Sequence, residues 1–333
     1  MLPTTPAPAI SPHVAGGLTV LFTVIYIAPF YLSPTLRSNS IANRNTPSVI
    51  EARIRAVVWS CVASVVITIC VLSSKGHVVL EEIFHLLGVY PVNILDTAKS
   101  FLLVAILFAG PLFERAIIEG EWRSWGGAAI KETVYDDLIG WRNLVVGPVS
   151  EELVFRSLAI SLFLLAQTSA LRITFTSPLI FGVAHVHHLH EHINASRRPG
   201  ASYLATALTP SVILPGLLRS IFQFLYTSLF GFIAAFIYLR TSSLVACILA
   251  HSFCNWMGLP RFWGRVGREV GEEMLDQTHH DGSVTDALQT GSHGQRLSIT
   301  WTTAYYIVLV AGAISFWKLR WSMTYSDLAL IQF

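Results

Sequence analysis

Eight apolar runs recur along this chain of 333 residues. They fall at Ala15–Leu32, Ala56–Leu72, Ala98–Phe113, Val145–Ala166, Ile173–Val186, Leu217–Leu239, Leu244–Leu259 and Thr303–Trp317. A helix of about 20 apolar residues crosses a bilayer. Within lipid, a helix satisfies all of its own backbone hydrogen bonds. The runs therefore predict an all-α fold: a polytopic transmembrane bundle of about eight helices around a membrane-embedded polar cavity. Several runs are short, as buried or broken helices inside a bundle can be. Charged residues make up 13% of the chain, against roughly 25% in soluble domains. Membrane lipid is the expected surrounding. The net charge of +2 is too small to imply a nucleic-acid partner.

The runs imply one integral membrane domain over 1–333, with a polar loop over 261–300. Residues 1–12 carry no positive side chain, so the first run is expected to stay as a helix rather than act as a signal peptide. Arg37, Arg44, Arg53 and Arg55 follow that run with only Glu51 opposing, which places this loop in the cytosol by the positive-inside rule. Glu81, Glu82 and His85 interrupt 79–92, which reads as an interfacial or lumenal segment. Between Phe113 and Trp141, charges alternate with Trp122, Trp125 and Tyr135. That texture suits the lipid–water boundary or an ordinary cytoplasmic loop. The sequon at Asn194 is expected to be silent. Cys61, Cys70, Cys247 and Cys254 all lie in apolar runs without a CxxC pair, which indicates buried thiols.

Glu151, Glu152 and Arg156 lie inside one of these runs. An ionised group at the centre of a membrane helix costs about 2.5–3.5 kcal/mol and marks a functional site by default. Glu152 and Arg156 are four apart and can pair. Glu151 is turned about 100° away, free for a second partner. A helix-locking salt-bridge network is the alternative. His185 lies in a later run beside Gly182 and Ala184, small residues that let another helix approach. His251 and Asn255, four apart on one helix face, could donate to an oxyanion or simply bond two helices together. Five histidines within His185–His192 raise a zinc reading, but the HExxH pattern fails because Asn194 stands where its second histidine would be. Ser150, Ser157 and Ser252 have no nucleophile motif around them.

The ordered triple Glu-Glu-x-x-x-Arg at 151–156, Phe-x-x-x-His at 181–185 and His-x-x-x-Asn at 251–255 resembles the CAAX prenyl protease type 2 family of glutamate intramembrane proteases. The resemblance spans 145–257, the implied catalytic core. It implies release of the C-terminal tripeptide from farnesylated or geranylgeranylated CaaX proteins such as Ras-like GTPases. The implied location is the endoplasmic reticulum membrane, multi-pass, with a cytosol-facing site. It also implies that Glu151 and His185 activate a water, that His251 and Asn255 form the oxyanion hole, and that Glu152 and Arg156 support them, without metal or other cofactor. A zinc-dependent protease using His185–His192 and a non-enzymatic scaffold or transporter are the competing readings.

Overall fold

A computed structural model describes residues 7–33, 36, 44–198, 200–267 and 297–333. Most of the polar loop expected at 261–300 therefore lies outside the described residues. Among those residues, every regular element is a helix. Four are long and apolar enough to cross a membrane: Pro12–Leu32, Pro47–Gly76, Pro210–Thr241 and Ile299–Met323. A fifth candidate is the pair Ile94–Leu107 and Ala109–Ile118, bent by 77° at their junction. Pro111 accounts for that bend, because it lacks the N–H that would bond to the Leu107 carbonyl. The described helices thus give four or five spans by length and composition, where eight apolar runs were counted. The runs at 145–166, 173–186 and 244–259 form shorter or interrupted helices. These three carry the charged and histidine motifs, and residues 154–163 are almost wholly buried. A helix enclosed by protein need not match the thickness of lipid.

Local signals set the helix ends. Pro12, Pro47 and Pro210 open their helices, where the missing proline N–H is one that no helix would bond. The Ser11 hydroxyl accepts the Val14 N–H at 3.3 Å. His77 and Ser242 close their helices in the left-handed region, with φ of 52° and 47°, a common way to satisfy the last carbonyls. Within Pro47–Gly76, the hydroxyls of Ser60, Ser64 and Thr68 each donate to the carbonyl four residues back. Each of these hydroxyls is thereby satisfied within its own helix.

Two compact units are present. One comprises the described residues of Leu102–Ile130 and Met257–Arg320. In it, Gly110 lies against Leu309, and Arg261 Nη2 meets Glu114 Oε1 at 2.9 Å. The charged stretch after Phe113 is thus partly tied down rather than a free loop. The other unit holds Met1–Phe101, Lys131–Trp256 and Trp321–Phe333, again in their described residues. Its most extensive helix packing joins Ala170–Ala184 to Pro210–Thr241. Small residues allow that approach. A Cβ on Gly231 would stand 2.6 Å from Pro178 Cβ and 3.3 Å from Arg156 Nη2. The short helix Leu80–Leu86 is pinned through its final carbonyls, which accept from Ser157, Ser161 and Tyr238 at 2.7–2.9 Å.

Candidate active site

The two glutamates lie on a continuous helical stretch over residues 138–165. Its Gly147–Glu152 portion is α-helical and is flanked by wider π-helical turns at Arg142–Val146 and Leu153–Leu158. Such turns are frequent at functional sites. Adjacent positions turn the two carboxylates to different environments. The Glu152 side chain has no exposure, whereas that of Glu151 is 22% exposed.

Glu152 is held from two sides. Its Oε1 accepts from His251 Nδ1 at 2.7 Å. Its Oε2 lies 3.1 Å from Arg156 Nε. That second contact is an ion pair rather than a hydrogen bond, since no N–H of Arg156 is aligned on an acceptor among the described residues. The π-turn between the two residues accounts for the poor alignment. The guanidinium lies instead over the rings of Phe181 and Phe230, at 4.3 and 5.5 Å. A desolvated cation over an aromatic face gains about 2 kcal/mol, which helps to hold this charge in the core.

His251 Nε2 stands 3.8 Å from Glu151 Oε2, so the ring lies between both carboxylates. Phe230 packs against it, with centroids 4.7 Å apart. His185, just past the end of Ala170–Ala184, places Nδ1 2.9 Å from the Phe181 carbonyl. A carbonyl only accepts, so Nδ1 carries the hydrogen and a neutral ring keeps its lone pair on Nε2. Asn255 donates one amide hydrogen to the Asn143 carbonyl at 2.9 Å and has a second to offer. Glu151, His185 and Asn255 line one cavity of about 200 Å³. Its wall also holds Tyr26, whose hydroxyl lies 2.8 Å from Ser150 Oγ. Ser150 Oγ also bonds to the Val146 carbonyl.

The histidine cluster resolves into smaller pieces. Ligand atoms of His187, His188 and Glu191 lie within 4.8 Å of one another and could hold a metal. Glu191 is already engaged, however. Arg53 Nη2 and His188 Nδ1 each approach it at 3.0 Å. Burial opposes ionisation of Glu191, but the His188 hydrogen bond and the Arg53 charge outweigh it and lower its pKa to about 2. Burial, reinforced by His188, lowers His187 to about 4. His190 and Asn194 hydrogen-bond to each other at 2.8 Å.

Several contributors had no motif to announce them. Tyr26 comes from the first apolar run, Phe230 from the middle of another, and Arg44, Arg53, Arg142 and Asn143 from segments flanking the runs. The available signals were a polar-tipped aromatic inside an apolar run at Tyr26 and a polar pair, one member charged, just before the apolar run of the glutamates at Arg142 and Asn143.

Fold and site together define a multi-pass membrane protein whose helices enclose the makings of a hydrolytic centre. Residues 137–257 match the family described as type II CAAX prenyl endopeptidase, Rce1-like. A probable CAAX prenyl protease 2 of Schizosaccharomyces pombe is 34% identical over 250 residues, covering 75% of this chain and 83% of the relative. The CAAX prenyl protease 2 of Homo sapiens is 33% identical, covering 72% of this chain and 70% of the relative. That of Arabidopsis thaliana is 31% identical, covering 77% and 83%. The chain belongs to the CAAX prenyl protease 2 family. No solved structure matches it.

Proposed function

We propose that this chain removes the last three residues of prenylated CaaX proteins, Ras-like GTPases among them, through a water activated by Glu151 and His185. The carrying observation is that Glu151, partly exposed, and His185, with its Nε2 lone pair, line the same cavity. Both can take a proton from water, and the resulting hydroxide attacks the scissile carbonyl carbon. Peptide hydrolysis then needs donors at the tetrahedral oxygen. The free amide hydrogen of Asn255 supplies one. His251 supplies the other from Nε2 when its ring carries both protons, its Nδ1–H being given to Glu152. As the C–N bond breaks, the proton taken from water passes to the leaving amine. Glu152 and Arg156 position His251 without touching the substrate.

We place the site on the cytosolic side of the endoplasmic reticulum membrane. The arginine-rich loop that the positive-inside rule puts in the cytosol supplies Arg44 to the cavity wall.

The test is tripeptide release from a farnesylated CaaX peptide by the purified chain, followed by mass spectrometry. Glu151→Ala and His185→Ala should each lose at least about 10²-fold in turnover, the scale of general acid–base catalysis. Wild-type turnover should survive excess chelator. Near-normal turnover by Glu151→Ala would overturn the mechanism. Chelator sensitivity would move the chemistry to His187, His188 and Glu191.

A further inference from the structure

Arg44, Arg53 and Arg142 line the same cavity as Glu151, His185 and Asn255. Three arginines lining one cavity with Glu151 suit an anion, and their existing partners differ. Arg53 is matched by Glu191 at 3.0 Å. Arg142 is occupied in anchoring: Nη1 donates to the Arg44 carbonyl at 2.8 Å, Nη2 to Asn45 Oδ1 at 3.1 Å and Nε to Asn143 Oδ1 at 2.9 Å. The Arg44 guanidinium is exposed and has no hydrogen bond or ion pair among the described residues. Burial first, then the charges of Arg44 and Arg53, lowers the Arg142 pKa, with Asp137 and Glu191 opposing. The Asp137 carboxylate is itself engaged, accepting the N–H groups of Ile139 and Gly140.

We infer that Arg44, held in place by Arg142, binds the carboxylate at the substrate's C-terminus and so fixes the cut three residues from the end. This rests on the protease reading above. Guanidinium binds carboxylate through paired, charge-assisted hydrogen bonds, and every CaaX substrate ends in a carboxylate. The dimensions agree. Arg142 precedes Glu151 by nine residues on one helical stretch, at most about 13 Å at the α-helical rise and less through the π-helical turn at Arg142–Val146. An extended tripeptide spans about 10 Å, and the arginine side chain bridges the remainder. A tail one residue longer or shorter moves the carboxylate by about 3.4 Å, beyond hydrogen-bond tolerance. Asn143 joins the two ends, since its carbonyl accepts from Asn255 and its side chain accepts from Arg142.

The experiment compares three farnesylated peptides on the full chain: the free acid, its C-terminal amide, and a form extended by one residue. Wild type should prefer the acid over each of the others by about 30-fold in kcat/KM, within the range of hydrogen bonds to charged groups. In Arg44→Ala the acid-to-amide ratio should fall below about 3-fold, and Arg44→Lys should recover part of it, as expected of a point charge lacking the fork. Arg142→Ala should lower the ratio as well by releasing Arg44. An acid-to-amide ratio near one in wild type, or an unchanged ratio in Arg44→Ala, would refute the carboxylate site while leaving the protease intact. Failure of wild type to cut any of the three would overturn the protease reading and this inference with it.

Discussion

Replacing Glu152 with alanine should destabilise the chain far more than replacing its neighbour. The carboxylate is fully enclosed, 2.7 Å from His251 Nδ1 and 3.1 Å from Arg156 Nε. Arg156 itself is 1% exposed, so water cannot take over as its partner. Breaking a buried pair by deleting one member costs about 3–5 kcal/mol, chiefly because a charge is left uncompensated. The shift is about 2 °C per kcal/mol at about 250 residues and smaller in a longer chain, so a cost of about 3 kcal/mol is a fall of up to about 6 °C. Thermal unfolding in detergent, followed by tryptophan fluorescence, reads it. The double variant Glu152→Ala/Arg156→Met removes both charges and should regain at least half of the loss, because replacing a whole buried pair with apolar groups is often nearly neutral. Lost activity alone would not discriminate, since His251 also loses its Nδ1 partner. A melting point for Glu152→Ala within about 1 °C of wild type would refute the reasoning. So would a double variant less stable than the single, since the cost would then lie in packing rather than in an orphaned charge.

Gly231→Ala should destabilise by about 1–3 kcal/mol, the range for overpacking, as its new methyl group meets Pro178 and crowds Arg156; the same melting assay checks it. Acid should weaken the fold in two stages. His187, lowered to about 4 in the fold, stays neutral there while the unfolded chain protonates, so stability present above pH about 6.5 is lost as pH falls toward 4. Glu191, lowered to about 2, adds stability that is fully present above its unfolded value of about 4.3 and is lost as pH falls from there toward 2. His187→Gln should flatten the first stage and Glu191→Gln the second in a pH series of melting points.

The helical class of the fold and the residues of its candidate site were legible in the sequence because each has a short-range signature. Apolar length marks a span, and a charge inside such a run marks an exception with a cause. The spacing of Glu152 and Arg156 led to the contact between them. The helix count was less legible, because the run at 145–166 is apolar largely through burial in protein, whereas those at 173–186 and 244–259 are short helices that bury one face and expose Phe175, Leu179, Val183, Val245 and Leu249 on the other. Hydropathy does not separate the two. The π-turn at Leu153–Leu158 was also invisible. A straight α-helix would align Arg156 on Glu152, whereas the wider turn leaves it over Phe181 and Phe230. Phe230 reaches the site only through tertiary packing, and nothing local sets it apart from other aromatics in apolar runs; Tyr26 carried only its hydroxyl as a signal.

Arg156, Glu152, His251 and Glu151 form a line from the dry core to the cavity, and its order has a chemical consequence. The core end is closed by a guanidinium, which is always protonated and accepts nothing. Glu152 is fixed between that cation and His251 Nδ1–H. On the proposed mechanism, a proton collected by Glu151 from water can pass inward no farther than His251 and Glu152, because Arg156 accepts nothing. From there it can only return to the cavity side, where His185, the substrate or bulk water can receive it. A closed inner end keeps the proton near the leaving amine, which must be protonated for the peptide bond to break. The second glutamate thus serves the first without sharing its chemistry. By anchoring His251 Nδ1 it fixes which imidazole nitrogen faces Glu151, and on the proposed mechanism Arg156 ends the path beyond it, so the proton stays near the reaction.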